Sequence, residues 1–269
     1  MDKKRILIVT QELDPYLVET TIGNIVKELV GKTQSSGYDI RILMPRFGSI
    51  NERRHRLHEV VRLSGINIII KDDDYPLIIK VASLPGARMQ VYFLDNEDFF
   101  KRKTSFADEE GNLFDDNSAR TVFFCRGVLE TVKKFGWAPD IIHCHGWITS
   151  LVPLFIKTAY KKDPIFEKSK VVYSVYDNTF EGPLPDDFAL NANINRVKDE
   201  DLIPYGEATN NLLHKGAIHY ADAAVEASAG VDKEVSATLE ESEKPVLEFP
   251  GEEEYKDAYL SFYTTLLEE

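Results

Sequence analysis

Residues 5–45 read RILIVTQELDPYLVETTIGNIVKELVGKTQSSGYDIRILMP, and this stretch decides the fold. It opens on a continuous apolar run, RILIVT, as expected of a strand covered on both faces. Ile22, Ile25, Val26, Leu29 and Val30 then recur at helical spacing. Gly37 stands just beyond them and suits the helix stop. YDIRILMP is a second apolar run, which Pro45 ends. Strand, loop, helix and strand in succession form the unit from which a parallel sheet is built.

The unit recurs along the chain. A long helix is expected from Asn117 or Ser118 to about Phe135, with Val122, Phe123, Val128, Leu129 and Val132 on its buried face. A Gly-Trp-Ala-Pro turn leads into the strand DIIHCH, then a helix over WITSLVPLFIKTAYKK, then the strand KVVYSVY ending at Tyr176. A helical stretch LIPYGEATNNLLHKGAIHYA precedes the strand-like AAVEAS. Between residues 51 and 102 the pattern differs: short β-rich runs break at Ser64-Gly65, at Asp72–Pro76 and at Pro85-Gly86. This predicts a hairpin or meander insertion, from which MQVYFLD returns to the main sheet. The tail, with Tyr255, Ala258, Tyr259, Phe262, Leu266 and Leu267 on one face, predicts an amphipathic helix. The fold class read from these signals is α/β, a doubly wound, Rossmann-like parallel sheet. Residues 1–250 are read as one domain and 251–269 as a helix docked on it.

The chain has 269 residues, 43% of them apolar, and a formal net charge of −13. Such a charge repels nucleic acid and anionic lipid, so neither is expected as a partner. The apolar stretch after MDKKR is too short for a signal peptide or a spanning helix, so a cytoplasmic protein without membrane attachment is expected. Cys125 and Cys144 lie in no Cys-x-x-Cys or zinc spacing and read as reduced, buried thiols.

In a doubly wound sheet, ligands bind beyond the carboxyl ends of the strands. Here that selects the loops 11–21, 95–117, 143–149 and 176–187. His143 and His145 stand at one such end, and their i, i+2 spacing puts both on one face of a strand. A zinc site would need a third ligand, and no matched partner is visible, so no metal is expected. The residues themselves read as strand-end framework, hydrogen-bonded to neighbouring backbone. No G-x-S-x-G, G-x-G-x-x-G or P-loop occurs at the strand ends, and no cofactor is expected.

The order of motifs resembles the N-terminal domain of the bacterial glycogen synthase and plant starch synthase family. The stretches that carry the resemblance are RILIVTQELDPY, GYDIRILMPRFGSI, VYFLDNEDFFKR, FDDNSARTVFFCRGVLE, WAPDIIHCHGWITSLVPLFIKT, VVYSVYDNTFEG and NNLLHKGAIHYADAAVEAS. Together they run in family order over nearly all of residues 5–235. The resemblance implies one Rossmann-like half of a two-domain GT-B glycosyltransferase. Family enzymes extend an α-1,4-glucan from ADP-glucose, or from UDP-glucose in some members, in a cleft between the two domains. The sequence ends where the second domain of the family would follow.

The departures fall where the family touches substrate. The family's Lys-Thr-Gly-Gly-Leu, which lies against the nucleotide-sugar phosphates, is here Val18-Glu19-Thr20-Thr21-Ile22. The cation is lost, an acid stands in its loop, and both glycines carry side chains. The family's His-x-His-Asp-Trp-His becomes His143-Cys144-His145-Gly146-Trp147-Ile148. Its His-Asn, whose histidine contributes to the catalytic centre, becomes Tyr176-Asp177, and its Tyr-Gln-Gly becomes Phe180-Glu181-Gly182. By family position, His145, Gly146, Trp147, Tyr176 and Asp177 are the substrate-binding candidates, and Val18, Glu19, Thr20 and Thr21 are degenerate donor-loop positions; no catalytic residue is assigned. Trp147, Tyr176 and Phe180 have two readings, as sugar-stacking rings or as packing. The expectation is a glycogen synthase-like pseudoenzyme, inactive alone, that binds an α-glucan, a nucleotide-sugar or another metabolite. The alternative is half of a two-chain assembly, or a regulatory partner, acting through an apolar face left by the missing half, with a protein partner or self-association.

Overall fold

The structure is a computed structural model, and it describes residues 3–18, 20–185 and 187–268. In chain order its strands are β1 (Arg5–Thr10), β2 (Asp39–Pro45), β3 (His58–Glu59), β4 (Ile66–Ile70), β5 (Asp73–Ser83), β6 (Gln90–Asp95), β7 (Ile141–His145), β8 (Lys170–Val175), β9 (Ala223–Glu226) and β10 (Val246–Leu247). The helices are α1 (Thr21–Ser35), α2 (Glu52–His55), α3 (Glu97–Phe100), α4 (Asn117–Phe135), α5 (Leu151–Lys157), α6 (Phe188–Ala192), α7 (Asp199–Leu202), α8 (Asn210–Tyr220), α9 (Lys233–Glu240) and α10 (Tyr255–Glu268).

The sheet runs β10-β9-β8-β7-β1-β2-β6-β5-β3, parallel from β10 to β6. β5 and β3 close one edge antiparallel, and β4 folds back on β5 as a hairpin. This is the expected doubly wound α/β sheet with its β-rich insertion. Ile6–Val9 of β1 and all of β7 are buried, as strands covered on both faces must be. From β1 the chain first builds β2 and β6 on one side, then returns to place β7 on the other. The switch point therefore lies between β1 and β7, where a crevice opens beyond the strand ends.

Four local readings need correction. The helical stretch expected over LIPYGEATNNLLHKGAIHYA is a single turn at Ile203–Tyr205 after α7, then a break, then α8 from Asn210, because Gly206 and Ala208 take φ of 46° and 56° and leave helical geometry. The helix expected over WITSLVPLFIKTAYKK is a single turn at Trp147–Thr149 followed by α5, which ends at Lys157. Thr158 turns its hydroxyl back onto the Leu154 carbonyl and leaves helical geometry, and Tyr160 reaches inward to Glu130 at 2.7 Å. The break expected across Asp72–Pro76 is narrower, because β5 starts at Asp73 and runs through Pro76. Proline is tolerated there because Pro76 lies in the part of β5 that pairs with β4 beyond its β6 partners, which begin at Ile78, so one missing donor is accommodated. On α10 the inward residues are Tyr259, Tyr263 and Leu266, so the buried stripe includes Tyr263, while Ala258 and Phe262 are half-buried at its flanks.

Candidate functional site

The site is built at the carboxyl edge around the switch point. Gln11, just past β1, donates its backbone N–H to the His145 carbonyl at 3.0 Å, so the chain ends of β1 and β7 are clamped together. Gly146 follows at φ 88°, ψ 155°, backbone space that glycine alone enters readily. A Cβ there would lie 2.7 Å from the Gln11 Cβ. The absence of a side chain at residue 146 is thus a packing requirement of this crevice.

His143 and His145 share one face, ring centroids 4.0 Å apart, and both are fully buried. His143 shares hydrogen bonds with the Tyr263 hydroxyl at 2.5 Å and the Ser174 hydroxyl at 2.7 Å. These partners, like the Tyr176 hydroxyl on His145, are side chains and not the expected neighbouring backbone, whose groups are taken up by the parallel strand pairing. A neutral imidazole offers one donor and one acceptor, and two hydroxyls satisfy both. His145 bonds Tyr176 Oη through Nδ1 at 2.8 Å, and its Nε2 has no hydrogen-bond partner among the described residues. Burial pulls His143 well below the usual histidine range, aided by His145, and lowers His145 to about 3. Both depressions favour the neutral imidazole in the folded chain. Tyr263→Phe is expected to lower the unfolding free energy by about 1–3 kcal/mol, the cost of stranding a buried polar partner. The readout is the urea midpoint, and an unchanged midpoint would mean that α10 does not hold His143.

Tyr259 of α10 lies over the His143 ring, with centroids 5.6 Å apart, and also lines a cavity of about 550 Å³. Thr21 and Asn24 of α1, Asp177 after β8, the 227–230 turn after β9, the 249–252 segment and Tyr255 complete the cavity walls. Asp177 accepts a hydrogen bond from the Ser228 hydroxyl. Gly230 lets the turn close over that carboxylate, since a Cβ there would sit 2.6 Å from Asp177 Oδ2. The charged lining residues are Glu28, Asp177 and Glu252, and no lysine or arginine lines the cavity among the described residues. Lys256 pairs with Glu28 at 3.5 Å.

The candidate positions separate in space. Asp177 and Thr21 meet in this cavity. Thr20 caps α1, its hydroxyl accepting the Gly23 N–H at 3.0 Å. Val18 is exposed, and Glu19 lies outside the described residues. Trp147 is 2% exposed, enclosed by Phe106 and Phe180 at ring distances of 4.7 and 5.2 Å, and Tyr176 is 4% exposed on His145. Of the three rings considered for stacking, only Phe180 is half-buried, beside a second concavity that Asn178, Thr209, Asn210 and Asn211 help to line. Ser228 and Gly230 carry no local signal in the sequence, and Tyr255 and Tyr259 carry only that of a helix face; the fold alone brings all four to the cavity of Asp177. No group of three or more His, Cys, Asp or Glu among the described residues is placed to hold a metal, and no described helix is long and apolar enough to cross a membrane. Among the described residues the exposed large apolar side chains are Val18, Val61, Ile69, Leu190 and Ile203, and of these only Val18 lies in a loop at this edge.

A profile for the starch synthase catalytic domain matches residues 5–246. The chain belongs to that family. It is similar to a glycogen synthase of Chlorobium luteolum, 38% identical over 214 residues, covering 79% of this chain and 41% of that protein. A glycogen synthase of Chlorobaculum tepidum is 40% identical over 182 residues, covering 67% of this chain and 37% of the relative. The starch synthase family chain thus spans less than half the length of these curated relatives. The catalytic domain of Arabidopsis thaliana starch synthase IV, solved bound to ADP and acarbose, superposes with a TM-score of 0.74 at 18% identity. That match covers 92% of this chain and 51% of the plant domain, and it shows a shared fold.

Proposed function

We propose that this chain is a glycogen/starch synthase-like protein that binds an α-glucan or a similar neutral, hydroxyl-rich metabolite at its carboxyl-edge cavity and does not transfer glucose by itself. The observation that carries the reading is the charge of the cavity. Its charged lining side chains are carboxylates, with Thr21, Asn24, Ser228 and two tyrosines between them. A nucleotide diphosphate brings negative charge and needs cations or free helix-terminal N–H groups to balance it. Val18–Thr21 supplies no cation, and one N–H at the start of α1 is already taken by Thr20. A neutral sugar makes the opposite demand: carboxylate and amide oxygens accept its hydroxyls, and tyrosine rings face its apolar side. In this reading residues 1–250 supply most of the cavity walls and α10, within the 251–269 segment, closes it through Tyr255 and Tyr259.

The test is calorimetric titration with maltohexaose and then with ADP-glucose. Saturable maltohexaose binding without ADP-glucose binding is expected. Asp177→Ala should weaken maltohexaose binding by about tenfold or more, the loss of one hydrogen bond to a charged group. ADP-glucose binding, or release of ADP with glycogen present, would sink the reading. Binding of neither ligand would transfer support to the second arrangement, in which a separate chain or a second copy completes the site.

A further inference from the structure

A second cavity, of about 380 Å³, lies at the other end of the sheet, where β1, β2 and β6 begin. Lys3, Arg41 and Arg88 line it together with Tyr38 and Tyr92. Its one described carboxylate is Asp39, which already accepts the Trp137 indole N–H at 2.8 Å. Neither Lys3, Arg41 nor Arg88 makes an ion pair with a described residue. The guanidinium of Arg41 lies over two rings, 4.4 Å from the Phe135 centroid and 4.7 Å from Trp137. Stacking of this kind holds the plane fixed and leaves the edge donors free.

Burial lowers the Arg41 pKa; Tyr92 and Asp39 act to raise it, while Arg5 and Arg62 lower it further. Two more cations therefore stand within electrostatic range of Arg41. On a chain with a net charge of −13, this gathering of three cations beside a single described carboxylate in one concave place is a local reversal of sign. Like charges brought together repel, and an anion held among them removes that cost.

We propose that this cavity binds the phosphoryl group of a small metabolite. A planar, pre-oriented guanidinium donates two parallel N–H groups to phosphate oxygens, and Lys3 and Arg88 supply mobile charge around it. Tyr38, Tyr92, Gln34 and Gln90 add polar lining. Tyr92 donates to Gln90 Oε1 and Gln34 Nε2 to the Arg88 carbonyl, each at 3.2 Å, which leaves the second lone pairs and amide protons for the hydroxyls of an ester. The site is separate from the carboxyl-edge cavity, shares no lining residue with it, and does not depend on the function proposed there.

The experiment is titration of the full chain, in a phosphate-free buffer of fixed ionic strength, with inorganic phosphate and with a hexose monophosphate. Saturable binding is expected for both, weakened about tenfold or more in Arg88→Glu, an exposed position whose exchange leaves the aromatic stack intact. Lys3→Glu provides a second variant on another segment, and both variants should melt as the parent does without ligand. Tighter binding of the ester identifies an esterified metabolite as the source, and equal binding identifies free phosphate; either supports a phosphoryl site. No binding of either probe, binding unchanged in both variants, or an equal response to sodium chloride would overturn the proposal.

Discussion

Gly146→Ala is expected to lower the unfolding free energy by about 2–6 kcal/mol, the sum of backbone strain and overpacking at one residue. The two costs are separate. The φ of 88° with ψ of 155° belongs to glycine, and a side chain there strains the backbone whatever the space around it. The added methyl would also meet Gln11 Cβ at 2.7 Å and Gln11 Oε1 at 2.8 Å, in a crevice where both residues are buried. Gln11 is held by its own backbone bond to the His145 carbonyl, so it cannot step aside without parting β1 from β7. Gln11→Ala should relieve part of the clash and none of the backbone strain. In a double-mutant cycle, the alanine pair is therefore expected to be more stable than the sum of the singles implies. Urea denaturation of the four proteins reads this directly. A Gly146→Ala protein as stable as the parent would refute the close approach of residues 11 and 146.

The second large effect is acid sensitivity. His143, His145 and His214 are buried, and burial depresses all three, His145 to about 3 and His214 to about 4. In the unfolded chain each recovers an ordinary value near ~6.5. Below that pH the unfolded state takes up protons that the folded state refuses, so stability is full above about pH 6.5 and falls with falling pH toward the folded values. Each histidine contributes at most about 1.4 kcal/mol per pH unit in this window. With all three acting, the slope approaches ~4 kcal/mol per unit below about pH 5.5, before most carboxylates titrate. His214 has partners of its own, Tyr173 at 2.9 Å and Asn210 at 3.2 Å, away from the strand-end pair. His214→Asn should therefore reduce the slope by about one proton and leave the other two in place. The check is the unfolding free energy at half-unit steps from pH 7.5 to 4.5. A flat profile between pH 6.5 and 5 would mean that these imidazoles are hydrated or already charged in the folded protein.

Much of the architecture could be read from the sequence because the physics that sets it is local. RILIVT, DIIHCH and KVVYSVY are short, apolar and flanked by turns, which buried parallel strands demand. The five apolar residues between Ile22 and Val30 could serve only as one face of a helix. Alternation of these two patterns admits few topologies, since crossovers between parallel strands keep one hand. The loops after the strands are the expected ligand edge on the same grounds. Motif order over residues 5–235 also carried the family.

Tertiary structure decided what those loops contain. His143 and Tyr263 are 120 residues apart in the chain, and Asp177 and Ser228 are 51 apart. No periodicity reports such pairs, because periodicity records which way a side chain points and not what it meets. Trp147 could stack on a sugar or pack in the core until Phe106 arrived from a distant loop to enclose it. Lys3, Arg41 and Arg88 are unremarkable one by one, and they make a cationic cavity only because β1, β2 and β6 begin side by side. The sequence determined by itself the central parallel strands and the two long helices α1 and α4, since backbone geometry and local burial fix these. Only the fold decided which charges, rings and hydroxyls share a cavity, since that depends on distances between segments remote in the chain.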